Sequence, residues 1–368
     1  MRPRRALLVL SALAGGAAVA GWQLWSEPQA DDMARDRGAA LASALRAGPG
    51  ATADIRAPHR CARLHAEELG PDVTAEPLDA PRAARGPGPI LAWKPPHDTS
   101  LTIGVVADAH GAIDALPGIQ RAFHRAGVDL VISLGGMGME HDSIARALAA
   151  LAAPDMADRD PAWPTWPVLA MPGDWEAMPA HRAAVAALAD RGVIDGSAVR
   201  LLDMAAFQLA TLPGAPHPGR LMTGSDGCVF TTEDATAITA LLAERPGVRL
   251  LLVHAPPRQD PAGPMHATDT GHTGVPVGER ALADALRATP VDAVIHGLVA
   301  SHDHPGGEHP LGSDPPVILS AGSLDPLHGI ARTAPDQAMN GAPRGPTALV
   351  ARITRKRITW QQVTPEPH

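Results

Sequence analysis

From residue 101 onward the chain alternates between two hydrophobic patterns. Short apolar runs recur at 101–107, 128–134, 167–171, 206–212, 249–253, 293–296 and 317–320. Longer stretches with apolar residues at helical spacing lie among them, at 115–126, 143–153, 180–191, 233–244 and 279–288. The runs are too short for helices and rich in Val, Ile and Leu, so they read as buried strands. Strands alternating with helices predict an α/β fold with helices packed on both faces of the sheet structure. The end of the chain differs. Two β-rich runs within 347–363 flank Arg355, Lys356 and Arg357, which reads as a terminal β-hairpin with a basic, solvated turn.

The first hundred residues follow neither pattern. Arg2, Arg4 and Arg5 precede a run at 7–25 that holds no charge, and Ala18, Val19 and Ala20 form an A-x-A cleavage site. This reads as a signal peptide over 1–25, or as a signal anchor retained in the membrane through residues 6–25. Either predicts an extracytoplasmic protein, periplasmic or secreted. Residues 26–97 are rich in Ala, Pro, Arg and Gly and read as a stalk or partly ordered extension, leaving 98–368 as the folded domain. The chain has two cysteines, Cys61 and Cys228. In an oxidising compartment they could pair and tie the extension to the domain.

Composition narrows the function classes. The net charge is −8, and no basic stripe with interleaved aromatics is present, which excludes a nucleic-acid interface. With 36 Gly and 38 Pro, the chain has enough turn-forming residues for long, ordered connections around the strands.

In open α/β sheets, ligand sites gather at the carboxyl ends of the strands. Polar residues able to bind metal recur there. Asp108 and His110 follow the first strand, Asp174 and Glu176 the third, His254 the strand at 249–253, and His296, His302 and His304 the next. In this order and spacing, the segment 101–325 resembles the calcineurin-like metallophosphoesterases. Their motifs run Asp-x-His, Gly-Asp-x-x-Asp, Gly-Asn-His-Asp/Glu, His and Gly-His-x-His. Leu134-Gly135, Pro172-Gly173, the run His254-Ala255-Pro256-Pro257 and Ala321-Gly322-Ser323 add to the resemblance. It implies a two-sheet α/β sandwich flanked by helices. It also implies two cations that share a carboxylate and activate water for attack on phosphorus.

Carried over residue by residue, the resemblance makes Asp108, His110, Asp174 and His254 the metal ligands. Other positions depart from the pattern. Gly136 stands where the bridging Asp belongs, and Trp175 where the family places an imidazole beside the phosphate. Counted without a gap, Leu298 and Ala300 occupy the last motif. A four-residue slip would bring His302 and His304 there instead. Without the slip each cation keeps two side-chain ligands, whereas catalytic metals ordinarily have three or more protein ligands. The implied function is therefore a pseudoenzyme or strongly impaired phosphoesterase, serving as a binding or assembly module for an unidentified protein or phosphoester. The alternative is an active hydrolase with one metal or a remodelled pair. The cofactor is a weakly held or single divalent metal, or none.

Overall fold

The computed structural model describes residues 58–62, 76–77, 90–152, 166–223, 226–259, 278–298, 307–312, 316–325 and 345–365. The first six strands are β1 (Glu76–Pro77), β2 (Ile90–Ala92), β3 (Ser100–Val106), β4 (Leu130–Ser133), β5 (Val168–Ala170) and β6 (Val193–Asp195). The next four are β7 (Leu201–Asp203), β8 (Phe207–Leu212), β9 (Val248–Val253) and β10 (Ala293–His296). The last four are β11 (Gly307–Pro310), β12 (Val317–Ser320), β13 (Ala348–Thr354) and β14 (Arg357–Val363). The helices are α1 (Leu116–Arg125), α2 (His141–Ala152), α3 (Met178–Ala187), α4 (Thr232–Ala243) and α5 (Arg280–Ala288).

The strands form two sheets. One has the order β1-β2-β7-β8-β9-β10-β12, the other β11-β14-β13-β3-β4-β5-β6. Strand alternation explains how they stack. In β3, Leu101, Ile103 and Val105 point into a core that also receives Leu250 and Leu252 of β9 and Leu209 of β8. Val106 and Val131 face outward against Leu116, Ile119 and Phe123 of α1 and Ile144 and Leu148 of α2. On the other sheet, Leu251 and Val253 face outward against Ile238 and Leu242 of α4 and Leu282 and Leu286 of α5. Each sheet is thus apolar on both faces, one toward its partner sheet and one toward helices. The result is the two-sheet sandwich flanked by helices, ending in the hairpin β13–β14. Gly104 sets the approach of α1, since a Cβ there would lie 2.7 Å from the Phe123 ring.

Part of the segment expected as a stalk is built into this domain. Ile90 and Leu91 are 1% and 3% exposed, and β2 pairs with β7, so the edge of one sheet begins before residue 98. Two consecutive apolar side chains beside an open strand edge gain more by docking there than by remaining solvated in an extension. Residues 58–62 are held as well. His59 bridges to Cys228, and Cys61 and Cys228 are joined as a disulfide with a Cα–Cα distance of 5.7 Å. The expected leader at 1–25 lies outside the described residues. Among the described residues no helix is long and apolar enough to cross a membrane.

Candidate metal centre

The polar residues stand at one end of the sandwich because parallel strands deliver their carboxyl ends to the same side. β3 is parallel to β4 and β4 to β5, while β9 lies parallel to β8 and β10 in the facing sheet. The loops that follow are knitted by backbone hydrogen bonds. Asp108 N donates to Gly135 O at 2.9 Å and His110 N to Gly136 O at 2.7 Å. Asp325 N, just beyond β12, donates to Asp108 O at 2.9 Å. Asp108, His110 and Leu298 all take left-handed backbone angles, with φ of 54°, 46° and 58°. Non-glycine residues adopt this region at a cost, and such strain gathers at sites that hold side chains for a purpose.

His254 and Asp174 meet across the two sheets. His254 Nε2 lies 2.9 Å from Asp174 Oδ1, and its Nδ1 lies 3.0 Å from Leu134 O. Burial alone would lower the His254 pKa, but the Asp174 charge and hydrogen bond, with further contributions from Asp108 and Glu176, push it up to about 9. Burial would likewise raise Asp174, and the charge and hydrogen bond of His254 outweigh it and hold that carboxyl below its ordinary value. The second pair lies beside them. His110 Nε2 is 3.8 Å from Asp108 Oδ1, and His110 Nδ1 is 3.1 Å from Asp325 Oδ2. Asp325 was not among the residues expected from sequence. A signal was present, since it stands two residues beyond the Ala321-Gly322-Ser323 run at a strand end. Glu176 does different work from a ligand: its Oε1 accepts from Met137 N at 2.6 Å and its Oε2 from Gly173 N at 2.8 Å. A fully buried carboxylate thus staples two of the loops together.

The fold has the architecture that the sequence resemblance implies. It has the two-sheet sandwich, and Asp108, His110, Asp174 and His254 converge at the strand ends in the expected order. No protein-family model matches the chain, and no curated protein does. Comparison with solved structures finds chains of similar path. The crystal structure of TT1561 of Thermus thermophilus is 11% identical, covers 73% of this chain and 100% of its own, and has a TM-score of 0.44. A dimetal phosphatase from Danio rerio is 14% identical over 72% of this chain and 99% of its own, with a TM-score of 0.39. A purple acid phosphatase from yellow lupin seeds is 12% identical over 75% of this chain and 54% of its own, with a TM-score of 0.43. These likenesses concern the chain path; the chemistry has to come from this chain's own side chains.

The described side chains do not assemble a dinuclear centre. Among the described residues, no three His, Cys, Asp or Glu side chains come together so as to hold a metal ion. Gly136 has φ of +73°, and a Cβ there would lie 2.6 Å from Asp108 Oδ1 and 2.8 Å from Asp108 Cα. Position 136 thus has neither a side chain nor room for one without displacing Asp108. Trp175 packs on His110 with ring centroids 4.1 Å apart, so an indole covers the imidazole face. Gly297 sits where a Cβ would be 3.3 Å from His254 Nδ1, so the residue before Leu298 lies beside His254. Ala300, His302 and His304 lie outside the described residues. Two observations favour a single cation. Asp108 Oδ2 is buried with no hydrogen-bond partner among the described residues. The 2.9 Å between His254 Nε2 and Asp174 Oδ1 is close to the roughly 3 Å that separates two ligands at right angles, each about 2.1 Å from one six-coordinate ion. With His254 poised to hold its proton, a proton fills that gap equally well.

Proposed function

We propose that this is an exported, metallophosphoesterase-like protein that does not hydrolyse phosphoesters by the two-metal route, and that it serves as a binding or assembly module. The observation that carries this reading is the crowding at Gly136. Two cations about 3.5–4 Å apart repel, and the two-metal clamp requires groups that hold both ions together. Here the backbone of the second loop rests against Asp108, with no room for a shared carboxylate. Trp175 on His110 supports the reading, because an apolar ring occupies space beside the imidazole that phosphate and water would need. The ligand is a protein partner or a phosphoester that is held without being cleaved.

A second reading, hydrolysis with one cation, is favoured by the unpaired Asp108 Oδ2 and by the His254–Asp174 spacing. Elemental analysis of the purified domain, with turnover of a generic phosphoester, separates the two. The proposal expects less than one equivalent of metal and no turnover above that of an Asp108→Ala control. Stoichiometric metal with turnover that vanishes in Asp108→Ala would establish the second reading, and His302 and His304 would be the next residues to replace. Export has its own test. A reporter enzyme active only outside the cytoplasm, fused to the C-terminus, should be active, and it should fall silent when residues 1–25 are deleted.

A further inference from the structure

The disulfide and the Asp174 loop are joined by a ladder of backbone hydrogen bonds. His59 N donates to Gly227 O at 3.0 Å and Val229 N to His59 O at 2.8 Å, which sets residues 58–62 alongside 227–229. The next rung joins 227–230 to the turn after β8: Ala215 N donates to Cys228 O at 2.8 Å and Phe230 N to Ala215 O at 3.0 Å. The rung after that reaches the site, with Gly214 N on Pro172 O at 2.8 Å and Met222 N on Asp174 O at 2.9 Å. Thr223 Oγ1 adds a bond to Glu176 O at 3.3 Å. Two packing contacts lock the rungs. Gly214, with φ of +88°, lies so close to Cys228 that a Cβ there would be 2.7 Å from Cys228 Sγ and would run into its carbonyl. Met178, two residues past Glu176, is buried against both cysteines.

We infer that the Cys61–Cys228 disulfide is the back support of the site, and that its oxidation state sets the order of the Gly173–Glu176 loop carrying Asp174. The backbone carbonyls of Pro172, Asp174 and Glu176 all accept from a single connecting segment, 213–223. Across Gly214 and Ala215 that segment rests on Cys228, which Cys61 fixes in turn. Reduction by a dithiol breaks the S–S bond, places two electrons and two protons on the sulfurs, and leaves two thiols and an oxidised dithiol. Residues 58–62 are then held by the His59 bridge, the Arg60–Asp234 ion pair at 3.0 Å and the burial of Ala62 alone, and the ladder loses its covalent end. A chain made in a reducing compartment would have a loose Asp174 loop, and oxidation would assemble it. The inference stands apart from the choice between pseudoenzyme and one-cation hydrolase, because it concerns the loop and not what the loop holds.

The test is amide hydrogen exchange on the full chain in three states: as purified, treated with dithiothreitol, and as the Cys61→Ser/Cys228→Ser variant. Alkylation under denaturing, non-reducing conditions must first find no free thiol in the untreated protein; two free thiols would overturn the inference. The expected result is a loss of protection of tenfold or more in 172–178 and 213–223, with β3 and β4 unchanged. Loss confined to 58–62 would show that the disulfide fastens only its own strand. Uniform loss across all strands would show a global staple with no special hold on the site. Either result overturns the inference. Gly214→Ala keeps both cysteines and wedges the middle rung, and it should loosen 172–178 even with the disulfide intact. Unchanged exchange there would count against the ladder.

Discussion

Replacing Gly136 by Asp is the sharpest trial of the crowded bridging position, because it supplies the carboxylate whose absence defines the site. Position 136 is left-handed, which costs an L-residue about 1–2 kcal/mol. Its Cβ would press on Asp108 Cα at 2.8 Å and Oδ1 at 2.6 Å, and overpacking of this kind costs about 1–3 kcal/mol. Together the variant should lose about 2–5 kcal/mol, and at roughly 2 °C per kcal/mol for a domain of this size its Tm should fall by about 4–10 °C. Two neighbouring carboxylates add repulsion that no described cation relieves. The assay is thermal melting of both proteins with EDTA and with excess Mn²⁺ or Zn²⁺, followed by phosphoester turnover. Were a working centre restored, a cation at a hundredfold excess over its Kd would return about 2.7 kcal/mol and cancel much of the loss. A Gly136→Asp protein that melts as high as wild type in metal and turns over substrate would refute the argument. A lower melt that ignores metal would support it.

Four further outcomes follow from the structure. Removing one partner of the buried His254–Asp174 pair, as in His254→Asn, should cost about 3–5 kcal/mol in chemical denaturation, and a cost near zero would mean that the pair holds nothing. Because the folded His254 pKa is raised to about 9, its contribution is full below pH 6.5 and is lost as pH rises through 9; NMR titration of its ring protons should show that midpoint. Asp195 faces His181 at 3.6 Å and accepts from Ser197 N at 2.7 Å; although burial works against ionisation, these partners lower its pKa to about 2. Its contribution of about 2 kcal/mol is therefore present above pH 3.8 and lost as pH falls toward 2, and Asp195→Asn should flatten the stability–pH curve in that window only. Gly104→Ala should destabilise by about 1–3 kcal/mol through the clash with Phe123, and an unchanged melting curve would show that α1 can shift freely.

The long strands and the helices α1 to α5 were legible because their apolar runs and helical spacings extend over whole elements. β3, β8, β9, β10 and β12 fall within a residue of the runs that predicted them. The short strands β2, β6, β7 and β11 were not legible. Each has three or four residues, and Val193–Asp195 or Gly307–Pro310 offers too little alternation to stand out from a connection. Apolar runs also could not tell one sheet with helices on both faces from two sheets stacked, since a strand such as β3 is buried on both sides in either case. At the site, the strand-end rule found Asp108, His110, Asp174 and His254, because topology alone brings them together. It missed Asp325, which reaches His110 only through the turn after β12. It grouped Glu176 with the metal-binding residue types, whereas its partners are backbone amides that no side-chain pattern reveals. The crowding at Gly136 was beyond reach of sequence: the missing carboxylate could be read, but not that a Cβ there would press on Asp108.

Connectivity gives the disulfide a consequence in time. It joins residues 167 positions apart, so β1 to β8 lie inside one covalent ring while β9 to β14 lie outside. In the proposed export, with the chain threading a secretion channel from its N-terminus, Cys61 emerges long before Cys228 and has no correct mate within the chain until most of one sheet has passed. An early encounter with another molecule's thiol would give a mixed or intermolecular bridge instead. The chain has no third cysteine to compete, so every mispairing has to involve a second molecule and will rise with concentration. Once formed, a ring of this size removes conformational entropy from the unfolded chain worth about 5 kcal/mol. Yield on refolding should therefore fall steeply as the protein is concentrated in air, and recover when a thiol buffer lets wrong bridges exchange.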